Sequence, residues 1–201
     1  MRLVASDLAC VRGGRRVFHN LSFTLSAGVA LLVTGPNGAG KSSLLRLIAG
    51  LVHPAAGRLA LEGGDGELTI GEQAHYLGHQ DALKTALSVQ ENLAFWVGFL
   101  AAADVKVDAA LAAVGLDALA DLPALYLSAG QRRRLSLARL VAVQRPIWLL
   151  DEPASALDAA AQGMLADLMR AHLGGGGLIL AATHGPLGLD GAQELKLGGA
   201  R

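Results

Sequence analysis

Apolar and polar positions alternate loosely through LVASDLAC (residues 3–10) and again through VFHNLSFTL (residues 17–25), with Gly13 and Gly14 between them. A two-residue rhythm broken by a glycine pair predicts two strands joined by a turn, hence an antiparallel opening. The rhythm then gives way to unbroken apolar runs, ALLVT (30–34), IWLLDE (147–152) and LILAATH (178–184), which predict buried strands. Shorter strands are expected within residues 58–69, joined by Gly63, Gly64 and Gly66, and over residues 74–77. Helical spacing appears in SLLRLIAGL (43–51), closed by Gly50 and Pro54. It returns in VQENLAFWVGFLAA (89–102) and VDAALAAVGLDALADL (107–122), with breaks at Gly115 and Pro123, and again over residues 129–143 and 159–172. Strand, loop, helix and later returning strands describe an α/β nucleotide-binding core. The expected organisation is a single domain over residues 1–201, with a helical subdomain inserted at about residues 81–135.

The first buried run leads into GPNGAGKS (35–42), which satisfies the G-x-x-x-x-G-K-[ST] phosphate-loop pattern and stands between a strand and a helix. Gly38 and Gly40 allow a tight wrap that points backbone N–H groups at phosphate oxygens. Lys41 brings a positive charge to the β and γ phosphates, Ser42 offers a hydroxyl to Mg²⁺, and the helix start favours an anion. The candidate nucleotide-binding residues are therefore Gly35, Pro36, Asn37, Gly38, Ala39, Gly40, Lys41, Ser42 and Ser43. A second apolar run, IWLLDEP, delivers Asp151 and Glu152 to the end of a strand. Asp151 is suited to hold Mg²⁺, and Glu152 to polarise the water that attacks the γ phosphate. That pair predicts hydrolysis of ATP.

Composition narrows the class. Lys plus Arg at 17 and Asp plus Glu at 17 cancel, and a hydrophobic fraction of 52% fills a core, so disorder and an electrostatic nucleic-acid coat are both disfavoured. Arg132, Arg133 and Arg134 accordingly read as a solvated helix face, with no nucleic acid as partner. The longest strongly apolar stretch, residues 93–103, is too short for a bilayer, which needs about 20 residues. MRLVASDL carries no secretory pattern, so a cytoplasmic location is expected. A single cysteine, Cys10, makes no internal disulfide and is expected in the core.

Further motifs follow in a recognisable order: Gln80, LSAGQ (127–131), SALD (155–158) and His184. Together with the two phosphate-site motifs they resemble the ATP-binding-cassette ATPases, the soluble motors of membrane transporters, over essentially the whole chain. The resemblance implies a P-loop NTPase core with an N-terminal antiparallel β element and an inserted helical subdomain, and ATP with Mg²⁺ as ligands. It implies that Gln80 contacts Mg²⁺ or the attacking water, and that His184 positions that water and the γ phosphate. It further implies a head-to-tail pair of identical chains, in which Ser128, Gly130 and Gln131 cap the nucleotide held by the other copy and Asp158 couples the two sites. Plain helix-capping roles for Ser128 and Asp158 are the alternatives. Ala129 stands where the family has glycine. Arg12 stands where the family has an aromatic residue against the base, so Arg12, or Phe18 from the next strand, is the candidate for stacking.

Within the family, RGGRRVFHNLSFTL, YLGHQDALK and LSAGQRRRLSLARL most resemble the ATP-binding subunits of cytochrome c maturation systems. This implies separate transmembrane permease subunits of that complex as partners and a peripheral place on the cytoplasmic face of the bacterial inner membrane. It also implies ATP-driven export of haem, or release of a haem-loaded chaperone. His75 and His79 do not mark a haem ligand. Phe95, Trp96 and Phe99 read either as helix core or as part of a groove for a membrane partner. A nucleotide-dependent assembly module that moves nothing, and an ATPase for another substrate, are the competing readings.

Overall fold

The computed structural model describes residues 1–100 and 105–198, so the end of the apolar stretch, residues 101–103, lies outside the described part. In chain order the elements begin with β1 (Arg2–Arg12), β2 (Arg15–Ser26), β3 (Ala30–Thr34), α1 (Lys41–Ile48), β4 (Ala56–Glu62) and β5 (Ala74–Leu77). They continue with α2 (Val89–Phe99), α3 (Val107–Ala113), α4 (Ala129–Ala142), β6 (Ile147–Asp151), α5 (Ala159–Gly174), β7 (Leu178–Ala182) and β8 (Gln193–Lys196). Two compact units are formed: one from Met1–Gly78, Arg145–Pro153 and the chain from Met169 onward, the other from His79–Gln144 and Ala154–Leu168.

The first unit holds both sheets. β2, β1 and β4 make a three-stranded antiparallel sheet, and the parallel sheet has five strands in the order β5-β6-β7-β3-β8. Every residue of β6 and β7 is buried, as their unbroken apolar sequences require of strands covered on both faces. β1 instead turns Leu3, Ala5, Leu8 and Cys10 inward. Its core faces meet in one cluster containing Leu3, Leu8 and Leu25 of the small sheet, Val33, Leu149 and Leu180 of the large one, and Leu44 and Ile48 of α1. Each such side chain contributes about 1.5–3 kcal/mol by leaving water. Near the start of β6, Trp148 stacks on His172 with ring centres 4.0 Å apart and planes 11° from parallel.

One expectation changes here, and one strand appears where none was expected. Residues 58–69 hold one strand, β4, and then turns, because the carboxamide of Gln73 takes the place of a partner strand: its Oε1 accepts from Asp65 N (2.7 Å) and its Nε2 donates to the carbonyls of Asp65 and Leu68 (both 3.0 Å). The short polar strand β8 has no apolar rhythm; it exists because the edge of β3 is open to it, and Thr34 Oγ1 donates to Glu194 Oε1 at 2.6 Å.

The second unit is helical, and α2 and α4 each start on a capping box, Ser88 with Glu91 and Ser128 with Gln131. The break expected at Gly115 is present: α3 stops at Ala113, Gly115 turns left-handed at φ +65°, and a 3₁₀ turn follows at Asp117–Leu119. The arginine run is not a solvated face. Arg132 donates to Leu127 O (2.6 Å), Arg134 to the carbonyls of Val114 and Gly115 (both 3.0 Å), and Arg133 is 3% exposed and paired with Asp81 at 3.2 Å. Successive helical residues point about 100° apart, so three in a row cannot share one face. Of the aromatic stretch, Leu93 is buried and Trp96 half-buried, whereas Phe95 and Phe99 are exposed. Among the described residues no helix is long and apolar enough to cross a membrane.

Candidate active site

β3 ends at Thr34 and α1 begins at Lys41, so residues 35–40 form a loop at the end of a central strand. Its glycines are required by close approach as much as by dihedral angle. A Cβ on Gly35 (φ +135°) would strike the carbonyl of Leu197, and one on Gly40 (φ +103°) would strike Val17. Gly40 also caps α1, which has neither a side-chain cap nor an acidic residue in its first turn. The free N–H groups and the dipole of that turn therefore suit an anion.

Lys41 is 8% exposed, and its Nζ donates to Gly35 O at 2.8 Å and Pro36 O at 3.3 Å. The same nitrogen lies 3.2 Å from His184 Nε2. That ring nitrogen is in turn 2.9 Å from Asn37 Oδ1 and 3.6 Å from Glu152 Oε1. An ammonium, an amide oxygen and a carboxylate thus converge on one imidazole nitrogen, brought there from the loop, from the end of β6 and from just beyond β7. With a proton on Nε2 the ring donates to Asn37, and without one the same nitrogen accepts from Lys41. Anchoring at the β7 end comes from Thr183, whose hydroxyl donates to Gly185 O at 2.8 Å and accepts from Gly185 N at 3.1 Å.

Asp151 closes β6 and is buried. Glu152 follows at φ +49°, a left-handed backbone carried by a residue with a full side chain, which costs of order 1–3 kcal/mol. Its N–H donates to Ala182 O at 2.9 Å, extending the β6–β7 pairing past the strand end and pinning the turn. α1, which carries Ser42, packs against β6, which carries Asp151. A hydroxyl and a carboxylate are hard oxygen donors, chemistry that suits Mg²⁺.

Other candidates occupy different settings. Phe18 is buried in the core, its ring beside Gly40, while Arg12 is exposed at the hairpin end opposite Arg15. In the second unit Gln80 is exposed in the bend that follows β5. Ser128 Oγ accepts from Gln131 N at 3.2 Å and Gln131 Oε1 accepts from Ser128 N at 2.7 Å, so both side chains serve the start of α4. A Cβ on Gly130 would press on the carbonyl of Ala156, which brings LSAGQ and SALD together. Asp158 Oδ1 accepts from Ala161 N at 2.8 Å and caps α5. His75 is buried and His79 exposed, and among the described residues no group of three or more His, Cys, Asp or Glu is gathered as for a metal ion. Sequence reasoning missed the left-handed Glu152 and the Asn37–His184 contact. No local signal announces the first, and the second joins residues 147 positions apart.

The ABC transporter family model matches residues 18–155. The chain is 65% identical over 200 residues to the "Cytochrome c biogenesis ATP-binding export protein CcmA" of Rhodopseudomonas palustris strain BisB18, covering all of both chains. It is 63% identical over 200 residues, again covering both chains fully, to the protein of the same description from Nitrobacter winogradskyi. Among solved structures, an ATP-binding cassette determined as a dimer in a post-hydrolysis state with ADP and Pi superposes with a TM-score of 0.82 at 21% identity, over 97% of this chain and 94% of that one. At that identity the match speaks to the fold.

Proposed function

The chain belongs to the ABC transporter family as an ATP-hydrolysing subunit, and from that premise we propose that its ATP hydrolysis serves cytochrome c biogenesis at a membrane complex. The convergence of Lys41, Asn37 and Glu152 on His184 carries the chemical part of this reading. In it, the backbone of residues 35–43 and Lys41 hold the β and γ phosphates. Ser42 and Asp151 hold Mg²⁺, with Gln80 as a further contact, and the ion when bound offsets phosphate charge. Glu152 accepts the proton of the attacking water, and His184, in the tautomer protonated at Nε2, turns that N–H from Asn37 to the γ phosphate. Water oxygen bonds to phosphorus as the bond to the ADP oxygen breaks, giving ADP and phosphate. Arg12 stacks on the base, since the ring of Phe18 is already engaged in the core.

The functional unit is two copies facing head to tail, each offering Ser128, Gly130 and Gln131 to the nucleotide of the other and Asp158 to their interface. Separate transmembrane permease subunits recruit the pair to the cytoplasmic face of the bacterial inner membrane. The work done there is export of haem or release of a haem-loaded chaperone. The relatives' shared description as cytochrome c biogenesis export proteins, at 63–65% identity, supports that choice of process.

The test is Glu152→Gln in a purified complex of the chain with its membrane subunits, with ATP hydrolysis and haem transfer followed together. ATP binding should persist while hydrolysis falls by at least 100-fold, a loss typical of removing a general base, and haem transfer should stop with it. Transfer that continued without hydrolysis would instead make the chain an assembly module.

A further inference from the structure

The segment immediately after Gln80 is strapped to two helices of its own unit. The Asp81 carboxylate meets Arg133 Nη1 at 3.2 Å, and the Asp81 carbonyl accepts from Ser136 Oγ at 2.8 Å. The next carbonyl, that of Ala82, accepts from Trp96 Nε1 at 3.3 Å, on a residue turned left-handed at φ +53°. Further along, Asn92, 2% exposed, accepts from Lys84 N at 2.8 Å and donates to Lys84 O at 2.9 Å. Arg133, Ser136 and Arg139 recur at three-residue spacing on α4, and Asn92 and Trp96 stand one turn apart on α2, so each helix uses a single face. The two fastenings also touch: the Arg139 guanidinium lies over the Trp96 ring, 4.3 Å from its centre.

α4 is the helix that starts from LSAGQ. We propose that Arg133 is a positioning residue that ties Gln80 to the LSAGQ loop, through Asp81 and the stiff first turns of α4, so that the two present themselves to nucleotide as one rigid part. A buried guanidinium does not readily give up its carboxylate, because breaking a buried ion pair costs the two charges a mutual attraction that water does not replace. Its planar fork holds the partner in orientation as well as at a distance, which a lysine would not do. Ser136 and Trp96 then fix the carbonyls of two consecutive peptide groups, those of Asp81 and Ala82, and with them the direction in which the chain leaves Gln80. The inference rests on the assignment of Gln80 and LSAGQ to nucleotide made above.

Asp81→Asn, Arg133→Gln and the double variant, each as the full chain, test it. Binding of a fluorescent ATP analogue should stay within twofold of the parent. The kcat for ATP should drop about tenfold in each single variant, and the double variant should lose no more than either alone, as expected when one shared bond is removed. A pair that served stability alone would not separate kcat from nucleotide affinity in this way. Trp96→Phe keeps the ring under Arg139 and removes only the donor to Ala82, so it remains informative if Arg133→Gln does not fold, and it should lower kcat a few-fold. Folded single variants with kcat within twofold of the parent, or losses that multiply in the double variant, overturn the proposal. Gln80→Ala and Ser128→Ala are run alongside. Normal hydrolysis by those two would overturn the site assignment itself, whereas their inactivity beside a fully active Asp81→Asn would overturn only the role of Arg133.

Discussion

Glu152 keeps a left-handed backbone although it is not glycine, held there by its N–H bond to Ala182 and by the parallel strands on either side of that bond. The strain predicts a separation of stability from activity. Glu152→Gly relieves it and should unfold later than Glu152→Ala by about 1 kcal/mol in denaturant titration, while both lose ATP hydrolysis. Equal stability of the two variants would show that the turn is unstrained. Only part of this chemistry was legible beforehand. Lys41, Asp151 and Glu152 stood out because each sits at the end of an apolar run or in a glycine loop, patterns confined to a few neighbouring residues. The Asn37–His184 contact did not, because the folded sheet creates it.

Capping and packing govern the elements. Ser128 starts α4 through its capping box, so Ser128→Ala should lower stability by about 1 kcal/mol. If Ser128 also completes the site of a second copy, hydrolysis should fall far more than that loss explains, and thermal unfolding measured beside turnover separates the two effects. At the end of α5, burial against Trp148 pulls His172 below its ordinary pKa, outweighing backbone hydrogen bonds at Leu178 and Pro146 that favour the charged form. The folded chain then resists a proton that the unfolded chain accepts. Stability should decline as pH falls below about 6.5, the ordinary histidine value. His172→Gln should flatten that decline, as read from denaturant midpoints at pH 5 and pH 7.5. Arg139 answers burial differently: its pKa is lowered to about 10 by burial, and by Arg133 nearby, yet it stays charged at neutral pH and keeps its place over Trp96.

For the whole molecule, the exposed aromatics have a proposed role, assembly with a membrane partner. Phe95 and Phe99 stack with centres 6.3 Å apart on the outer side of α2, 44% and 69% exposed, whereas Trp96 is tied inward. Replacing Phe95 and Phe99 with serine should leave ATP binding by the isolated chain unchanged and abolish its co-purification with the membrane subunits. Undiminished co-purification would assign those rings to some other contact. The substitution avoids Trp96, whose loss would disturb the strap after Gln80.

Sequence alone determined the strand–loop–helix at residues 30–51, the acidic end of β6 and the helical middle of the chain, because glycine spacing, apolar continuity and caps act between near neighbours. Tertiary structure decided which distant groups meet. Lys41 and His184 are 143 positions apart and become neighbours only because β3 and β7 lie side by side in the parallel sheet. It also decided that Arg133 is buried against Asp81, that the ring of Phe18 belongs to the core, and that a polar segment becomes β8. Each of these depends on a partner supplied by a remote part of the chain, and no local pattern of residue types specifies such a partner.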